Sequence, residues 1–240
     1  MHGRIVGPDG DRRMNGIELD TRRLSPGQLF FALVGESSDG HRYLEDAARR
    51  GASAAVVHRD DLPQVEGLTL VRVDDTYRAL HDLTRHVRRQ VPEHLVAITG
   101  SAGKTSTKEL LALLLARRFR VAKSEGNFNN LYGFPLSLLN IPDDTEWMVA
   151  EMGMSESGEL GKVSRLGRPD VAVYTNVRPV HLEFFGSLEA IAVLNRHGYT
   201  VAVASNQSGI GRGLITEEDY RAVQRRMEEL LAAEGAVLDG

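Results

Sequence analysis

Apolar positions along the chain gather into short β-leaning runs separated by polar turns, and several of the intervening stretches repeat with helical spacing. Leu29–Val34, Ala54–Val57, Leu68–Val73, Leu95–Ile98, Trp147–Ala150, Asp170–Tyr174 and Tyr199–Ala204 read as strands, with Gly16–Leu19 as a shorter candidate. Between them, Asp39-Gly40 opens an amphipathic helix over Tyr43–Arg50 that Gly51 closes, and a basic helix over Thr76–Gln90 ends ahead of Pro92. A Leu/Ala-rich helix follows from about Glu109. Another over Glu217–Ala233 places Tyr220, Val223, Met227, Leu230 and Leu231 at helical spacing, so it can pack. The alternation predicts an α/β fold: a small N-terminal α/β unit, then a parallel sheet, then a strand-loop-helix tail.

The stretch that organises the rest is VAITGSAGKTSTKELLALLL, residues 96–115. A strand, a glycine-rich turn and a strong helix former in that order make a phosphate cradle. Gly100 and Gly103 let the backbone curl so that successive N–H groups across Gly100, Ser101, Ala102, Gly103, Lys104, Thr105 and Ser106 face one anion, and the helix start adds partial positive charge. Lys104 is expected to reach the outer phosphates of a nucleotide, ATP, and the Thr105 hydroxyl to ligate Mg2+. Ile98 stands where the strict eight-residue pattern has its first glycine, so the loop is a shortened variant, G-S-A-G-K-T.

Charge and composition narrow the classes further. With 29 Lys plus Arg against 33 Asp plus Glu there is no nucleic-acid footprint, and the absence of cysteine excludes disulfides and thiolate metal sites. The longest apolar stretch, Leu110–Ala116, is far short of a membrane span, and the N-terminus has no signal-peptide core, so a cytoplasmic protein without membrane insertion is expected. Polar groups follow the strands where open α/β sheets bind ligands: Glu151 after Trp147–Ala150, Thr175-Asn176 after Asp170–Tyr174, and His181 beyond. Glu151 is a candidate magnesium ligand, with His181 as a possible partner. The segment Ser124–Asn130, holding Asn127, Asn129 and Asn130, is too polar for core and reads by itself as a structured turn.

Together these pieces resemble the Mur ligases, most closely those of the MurF type. The resemblance is carried by LDTRRLSPGQLFFALVGESSDGHRYLEDAARRGASAAVV, AITGSAGKTSTKE, SEGNFNNLYGFPLSLLN, EMGMSESGEL and TNVRPVHLEFFGSLEAIA, spanning about residues 16–192. It implies an ATP-dependent amide ligase that adds D-alanyl-D-alanine to UDP-N-acetylmuramoyl-tripeptide during peptidoglycan precursor synthesis. It further implies a UDP-sugar-binding domain over 1–88 and an ATP-binding domain, incomplete here, over 89–192. Lys104, Glu151 and His181 would be catalytic, with Thr105, Glu151 and His181 holding magnesium. Thr21, Arg22, Asp39, Gly40, His41, Asn127, Asn129 and Asn130 would bind substrate. Thr21 departs from the serine usual beside that arginine. The family also carries a carbamylated lysine past the motif histidine; Asn195 occupies that register here, and no lysine follows Lys162.

After Ala192 the likeness ends, and the rest of the central domain and the C-terminal domain are expected to be missing. Residues 193–240 resemble instead the second motif region of haloacid-dehalogenase-type phosphatases, nearest the heptose bisphosphate and histidinol phosphatases. That resemblance gives Ser205 a phosphate-binding role, but no D-x-D nucleophile lies upstream; Val71–Thr76 is the nearest imitation and is wrongly spaced. The plainer expectation is that this stretch adds a β-α pair to the sheet.

Overall fold

The computed structural model describes residues 3–6, 13–35, 38–100, 102–126, 128–153, 158–175, 192, 195–196, 198, 200–203, 216–233 and 235–237. They form two compact units. The first comprises Met1–Gln90 together with Pro135–Pro142, and the second Val91–Phe134 with Asp143–Gly240.

The first unit is built on a five-stranded sheet. Its strands are β1 (Arg4–Val6), β2 (Ile17–Glu18), β3 (Leu29–Phe31), β4 (Ala54–Val57) and β5 (Thr69–Arg72), in the spatial order β1-β5-β4-β3-β2. All neighbours run parallel except β1, which pairs antiparallel with β5 at one edge. Phe30, Ala55, Val57 and Leu70 pack with Leu44 and Ala47 of helix α1 (Leu44–Arg49) in one buried cluster. Helix α2 (Thr76–Arg88) is capped by Asp75, whose carboxylate accepts from Arg78 N at 3.0 Å.

Several boundaries differ from the sequence reading, among them the start of the helix read from about Glu109, which lies at Lys104. β3 stops at Phe31 because Leu33 N turns back to Phe31 O at 2.9 Å, while Gly40 N is given to Leu33 O at 2.7 Å. The helix expected over Tyr43–Arg50 is preceded by a 3-10 turn, Gly40–Tyr43, with Asp39 as its cap. β1 was not legible, for reasons taken up below.

The short edge strand β2 is completed by a side chain. Asn140 Oδ1 accepts from Ile17 N at 2.9 Å, and Asn140 Nδ2 donates to Ile17 O at 3.0 Å and to Leu136 O at 2.8 Å. The carboxamide thus stands in for the next strand of the sheet.

The second unit holds β6 (His94–Thr99), β7 (Val121–Lys123), β8 (Trp147–Glu151), β9 (Val171–Tyr174) and β10 (Thr200–Val203), all parallel, in the order β10-β9-β6-β8-β7. Alternate side chains of β9 separate its two faces. Val171 and Val173 join Val96, Ile98 and Ala112 on the side of helix α3 (Lys104–Leu115). Ala172 and Tyr174 join Leu231, Ala236 and Met227 on the side of the C-terminal helix. Two short helices, α4 (Gly133–Leu138) and α5 (Glu159–Gly167), carry the chain between these strands.

The tail therefore supplies β10 beside β9 and helix α6 (Glu217–Ala233) against the sheet. Thr216 Oγ1 caps α6 by accepting from Asp219 N at 3.0 Å, and Asp219 Oδ2 accepts from Thr216 N at 3.0 Å, a reciprocal box. Among the described residues no helix is long and apolar enough to cross a membrane.

Replacing Asn140 with Leu keeps its branched heavy-atom shape but strips two bonds from Ile17. It is expected to cost about 1–3 kcal/mol of local stability, read as faster hydrogen exchange at the Ile17 amide; unchanged exchange would show that β2 keeps its edge unaided.

Candidate active site

Strand order in the second unit reverses at β6. The chain moves from β6 to β7 and returns to β8 on one side, then crosses to β9 and β10 on the other. The carboxyl end of β6 is thus a topological switch point, where the loops after neighbouring strands diverge and leave a crevice. The glycine loop begins there. Gly100 and Gly103 have φ of +130° and +82°, a region costly for a residue with a Cβ, and Gly103 ends the loop directly before α3. Lys104 folds back over the turn, its Nζ donating to Gly100 O at 2.6 Å. Thr105 and Ser106 are exposed in the first turn of the helix, free to meet a ligand from solvent. Ser101 lies outside the described residues.

The strands flanking β6 brace the loop. Thr175, just past β9, gives its N–H to Thr99 O at 2.9 Å and places Oγ1 2.5 Å from Ala102 O. Past β8, Met152 N donates to Ile98 O at 2.9 Å. Glu151, the last residue of β8, is buried, with a side chain only 4% exposed. Its backbone N donates to Ser124 Oγ at 3.0 Å, and its Oε1 lies 3.1 Å from the Lys108 ammonium. Lys108 is equally buried and donates to Ser124 O at 2.8 Å. The carboxylate contact is an ion pair by distance without an aligned hydrogen bond, so Oε1 has no hydrogen-bond partner.

A buried anionic oxygen left in that condition fits a cation site. Among the described residues no group of three or more His, Cys, Asp or Glu side chains comes together. A divalent ion there would need hydroxyl, water and phosphate oxygens for most of its shell, which is the habit of magnesium. His181 lies outside the described residues.

The asparagine segment meets this site from the side. Gly153 N donates to Asn129 O at 2.8 Å, and a Cβ on Gly153 would fall 2.7 Å from the Asn129 carboxamide, so the two can approach only because residue 153 is glycine. Asn130 Oδ1 accepts from Gly133 N at 2.8 Å and Tyr132 N at 3.1 Å, capping α4. Asn127 lies outside the described residues. The turn reading and the site reading of this segment thus divide between neighbours: Asn130 shapes the turn, and Asn129 lies beside the strand that carries Glu151.

In the first unit, Thr21 is buried and its hydroxyl bonds the Asp46 carboxylate, lowering that acid's pKa. Arg22 grips Asp20 through Nη2 at 2.6 Å yet leaves its side chain 83% exposed. That bond holds Asp20 below the usual carboxylate range. Asp39 accepts from His41 Nδ1 at 2.7 Å and pairs with Arg59 at 2.6 Å. His41 Nε2 accepts from His58 N at 3.2 Å, which fixes the neutral tautomer with its proton on Nδ1. His58 stands perpendicular to it, with ring centroids 4.5 Å apart, and reaches Thr76 Oγ1 at 3.1 Å. Gly40 admits no side chain, because a Cβ would sit 2.8 Å from the Ala32 and Leu33 backbone. Sequence reasoning missed Lys108 as part of the second-unit site, and it placed Thr175 and Ser124 near the strand ends without their bracing roles. The available signal for Lys108 was its position one turn before Ala112, on the stripe of α3 that faces the sheet.

A glycine loop at a switch point and a buried acid on the next strand stand where open α/β sheets bind ligands, and known proteins narrow the class. Residues 13–88 match the family model "Mur ligase family, catalytic domain", and residues 98–197 match "Mur ligase middle domain". Over these two stretches the chain belongs to the Mur ligase family, whose members are ATP-dependent amide ligases. Within that family it is similar to UDP-N-acetylmuramoyl-tripeptide–D-alanyl-D-alanine ligase of Bacillus subtilis, at 40% identity over 80% of this chain and 42% of that protein. The Escherichia coli ligase of the same name is 39% identical over 80% of this chain and 41% of its own length. A crystal structure of MurF from Acinetobacter baumannii superposes with a TM-score of 0.67 at 32% identity, covering 79% of this chain and 44% of that one. MurF from Thermotoga maritima in complex with ADP gives 0.63 at 31%, covering 82% and 47%. The chain thus spans less than half the length of these relatives.

The His41 network carries its own pH dependence. Burial, followed by the neighbouring His58 and Arg59, pushes the ring below its ordinary 6.5 against the opposing pull of Asp39. The folded state therefore binds the proton less readily than the unfolded chain. Its contribution to stability is complete above pH 6.5 and is lost as pH falls through the depressed folded value. A proton titration followed by NMR should find the His41 midpoint below 6.5; half-protonation at or above 6.5 would overturn the depressed pKa.

Proposed function

We propose that the chain carries the nucleotide- and UDP-sugar-binding machinery of a MurF-type ligase, one that joins D-alanyl-D-alanine to UDP-N-acetylmuramoyl-tripeptide. The main support is the buried Glu151 carboxylate, whose Oε1 accepts no hydrogen bond, one strand away from the glycine loop. In the proposed reaction the tripeptide carboxylate attacks the γ-phosphorus of ATP, giving an acyl phosphate and ADP. The dipeptide amine then attacks the acyl carbon, phosphate leaves with the bonding pair, and the nitrogen gives up a proton. Magnesium would neutralise charge on the moving phosphoryl group.

The residues divide the work. Loop amides from Gly100 to Ser106 cradle the phosphates, and Lys104 exchanges its bond to Gly100 O for a phosphate oxygen. Thr105 and Glu151 would hold magnesium, with His181 as a further ligand. In the first unit the exposed Arg22 guanidinium meets the UDP-sugar, while Thr21, Asp39, Gly40 and His41 fix the backbone around it. Asn127 and Asn129 would bind substrate, and Asn130 caps the helix that follows. The proposed domains are 1–88 for UDP-sugar, 89–192 for ATP and 193–240 for the tail, and a cytoplasmic location is proposed with the nucleotide substrates.

Binding without turnover is the reading we favour for this chain. Asn195 carries no charge, and its Oδ1 is spent on Val237 N at 2.8 Å, so it supplies no carboxylate in place of a carbamylated lysine. The phosphatase-like stretch is proposed only as structure, through β10 and α6, because no aspartate nucleophile accompanies it.

Mg-ADP is expected to raise the melting temperature, and Lys104→Ala to abolish the rise; an equal rise in the variant would remove the loop from the site. Phosphate release from Mg-ATP, with each substrate omitted in turn, is expected to be absent. Release that requires both the UDP-tripeptide and the dipeptide would show a working ligase and overturn the assignment of Asn195.

A further inference from the structure

Lys108 has no part in the reaction outlined above, yet it is the most deeply buried charged side chain described, with 1% of the residue exposed. A lysine costs much to bury unless its ammonium is paired and hydrogen-bonded. Here all its described polar neighbours belong to the site or its frame: Ser124 O at 2.8 Å, Glu151 Oε1 at 3.1 Å, and the exposed Glu109 Oε1 at 3.7 Å. Glu109 is itself held by Lys123, which keeps its acid below the usual carboxylate range. Ser124 closes the circuit by accepting from Glu151 N through Oγ at 3.0 Å. The helix that follows the glycine loop, the segment that follows β7 and the end of β8 are thereby tied at one point.

We propose that Lys108 is a positioning residue for the divalent cation of the nucleotide: it aims the Glu151 carboxylate and holds it in place until the cation arrives with the phosphates. Because α3 starts at Lys104, the loop that grips the phosphates and the ammonium that sets the carboxylate ride on one rigid helix, a single turn apart. Phosphate and cation positions are therefore registered to each other. The inference rests on the nucleotide reading of the site.

The test is ADP affinity of the full chain, measured with Mg2+ and again with EDTA. Wild type should bind more tightly with Mg2+, and Lys108→Met should lose about 10-fold or more of that gain, as removal of an outer-shell partner typically does. Its affinity in EDTA should stay unchanged. Glu151→Gln should lose the same gain, and adding Lys108→Met to it should lose nothing further. A purely structural lysine would lower the melting temperature and leave the Mg2+-to-EDTA ratio intact, which would overturn the proposal. Should the variant fail to fold, wild-type protein answers through lysine 15Nζ NMR, favoured by a chain with only four lysines, Lys104, Lys108, Lys123 and Lys162. The Lys108 signal should move when Mg2+ is added to the ADP complex, and a signal that stays put sinks the positioning role. Wild type that binds no ADP in either buffer refutes the nucleotide site itself, and the inference with it.

Discussion

The ion pair between Lys108 and Glu151 is the constraint on which the second unit depends. Two opposite charges shut away from water are stable there only together: removing either typically costs 3–5 kcal/mol, about as much as several well-packed methyl groups contribute. The surroundings are arranged to meet that demand. Ala112 and Leu111 of α3 pack on Val96, Ile98 and Val149, which fixes the helix against the sheet and its first turn over the end of β8. Ser124 uses both its carbonyl and its hydroxyl on the pair. The glycine loop is then not free to wander, since it hangs between the end of β6 and a helix anchored by charge.

The first unit shows a different economy. Its polar network of Asp39, His41, His58, Arg59 and Thr76 is satisfied almost entirely from within, and its function is geometric. The carboxylate fixes one imidazole, the imidazole receives the next backbone amide, and Thr76 Oγ1 returns the chain of bonds to Ala32 O at 3.2 Å. Such a closed set leaves Arg22 with more exposed side chain than Asp39, His41 or Arg59. A motif that looks like a row of ligands in sequence is, at atomic scale, mainly a scaffold for one or two of them.

Much of this was legible beforehand where chemistry and periodicity coincide. The runs at Ala54–Val57 and Trp147–Ala150, the glycine loop and the helix over Glu217–Ala233 announce themselves through uninterrupted apolar residues or spacing. β1 escaped because Arg4, Ile5 and Val6 are exposed at an edge and carry no alternation. β7 is three residues long and only partly buried. α4 contains Gly133 and Pro135, poor helix formers that capping by Asn130 and packing override. Lys108 was overlooked because a lysine in KTSTKE reads as a solvated helix face. Only the strand pairing that brings β8 beside β6 shows that its surroundings are dry.

The side-chain clasp of Asn140 on Ile17 also imposes an order in time. The first unit includes Pro135–Pro142, which the chain reaches only after β6, the glycine loop, α3 and β7 have been made. During synthesis β2 emerges early but lacks the carboxamide that finishes its edge until Asn140 follows, the separation between Ile17 and Asn140 being 123. A ribosome-bound chain therefore carries an unfinished strand edge through the interval in which the nucleotide loop takes shape. The two units are separate in their cores and interleaved in their biogenesis, so a cut placed after Gln90 would sever the first from its own last piece.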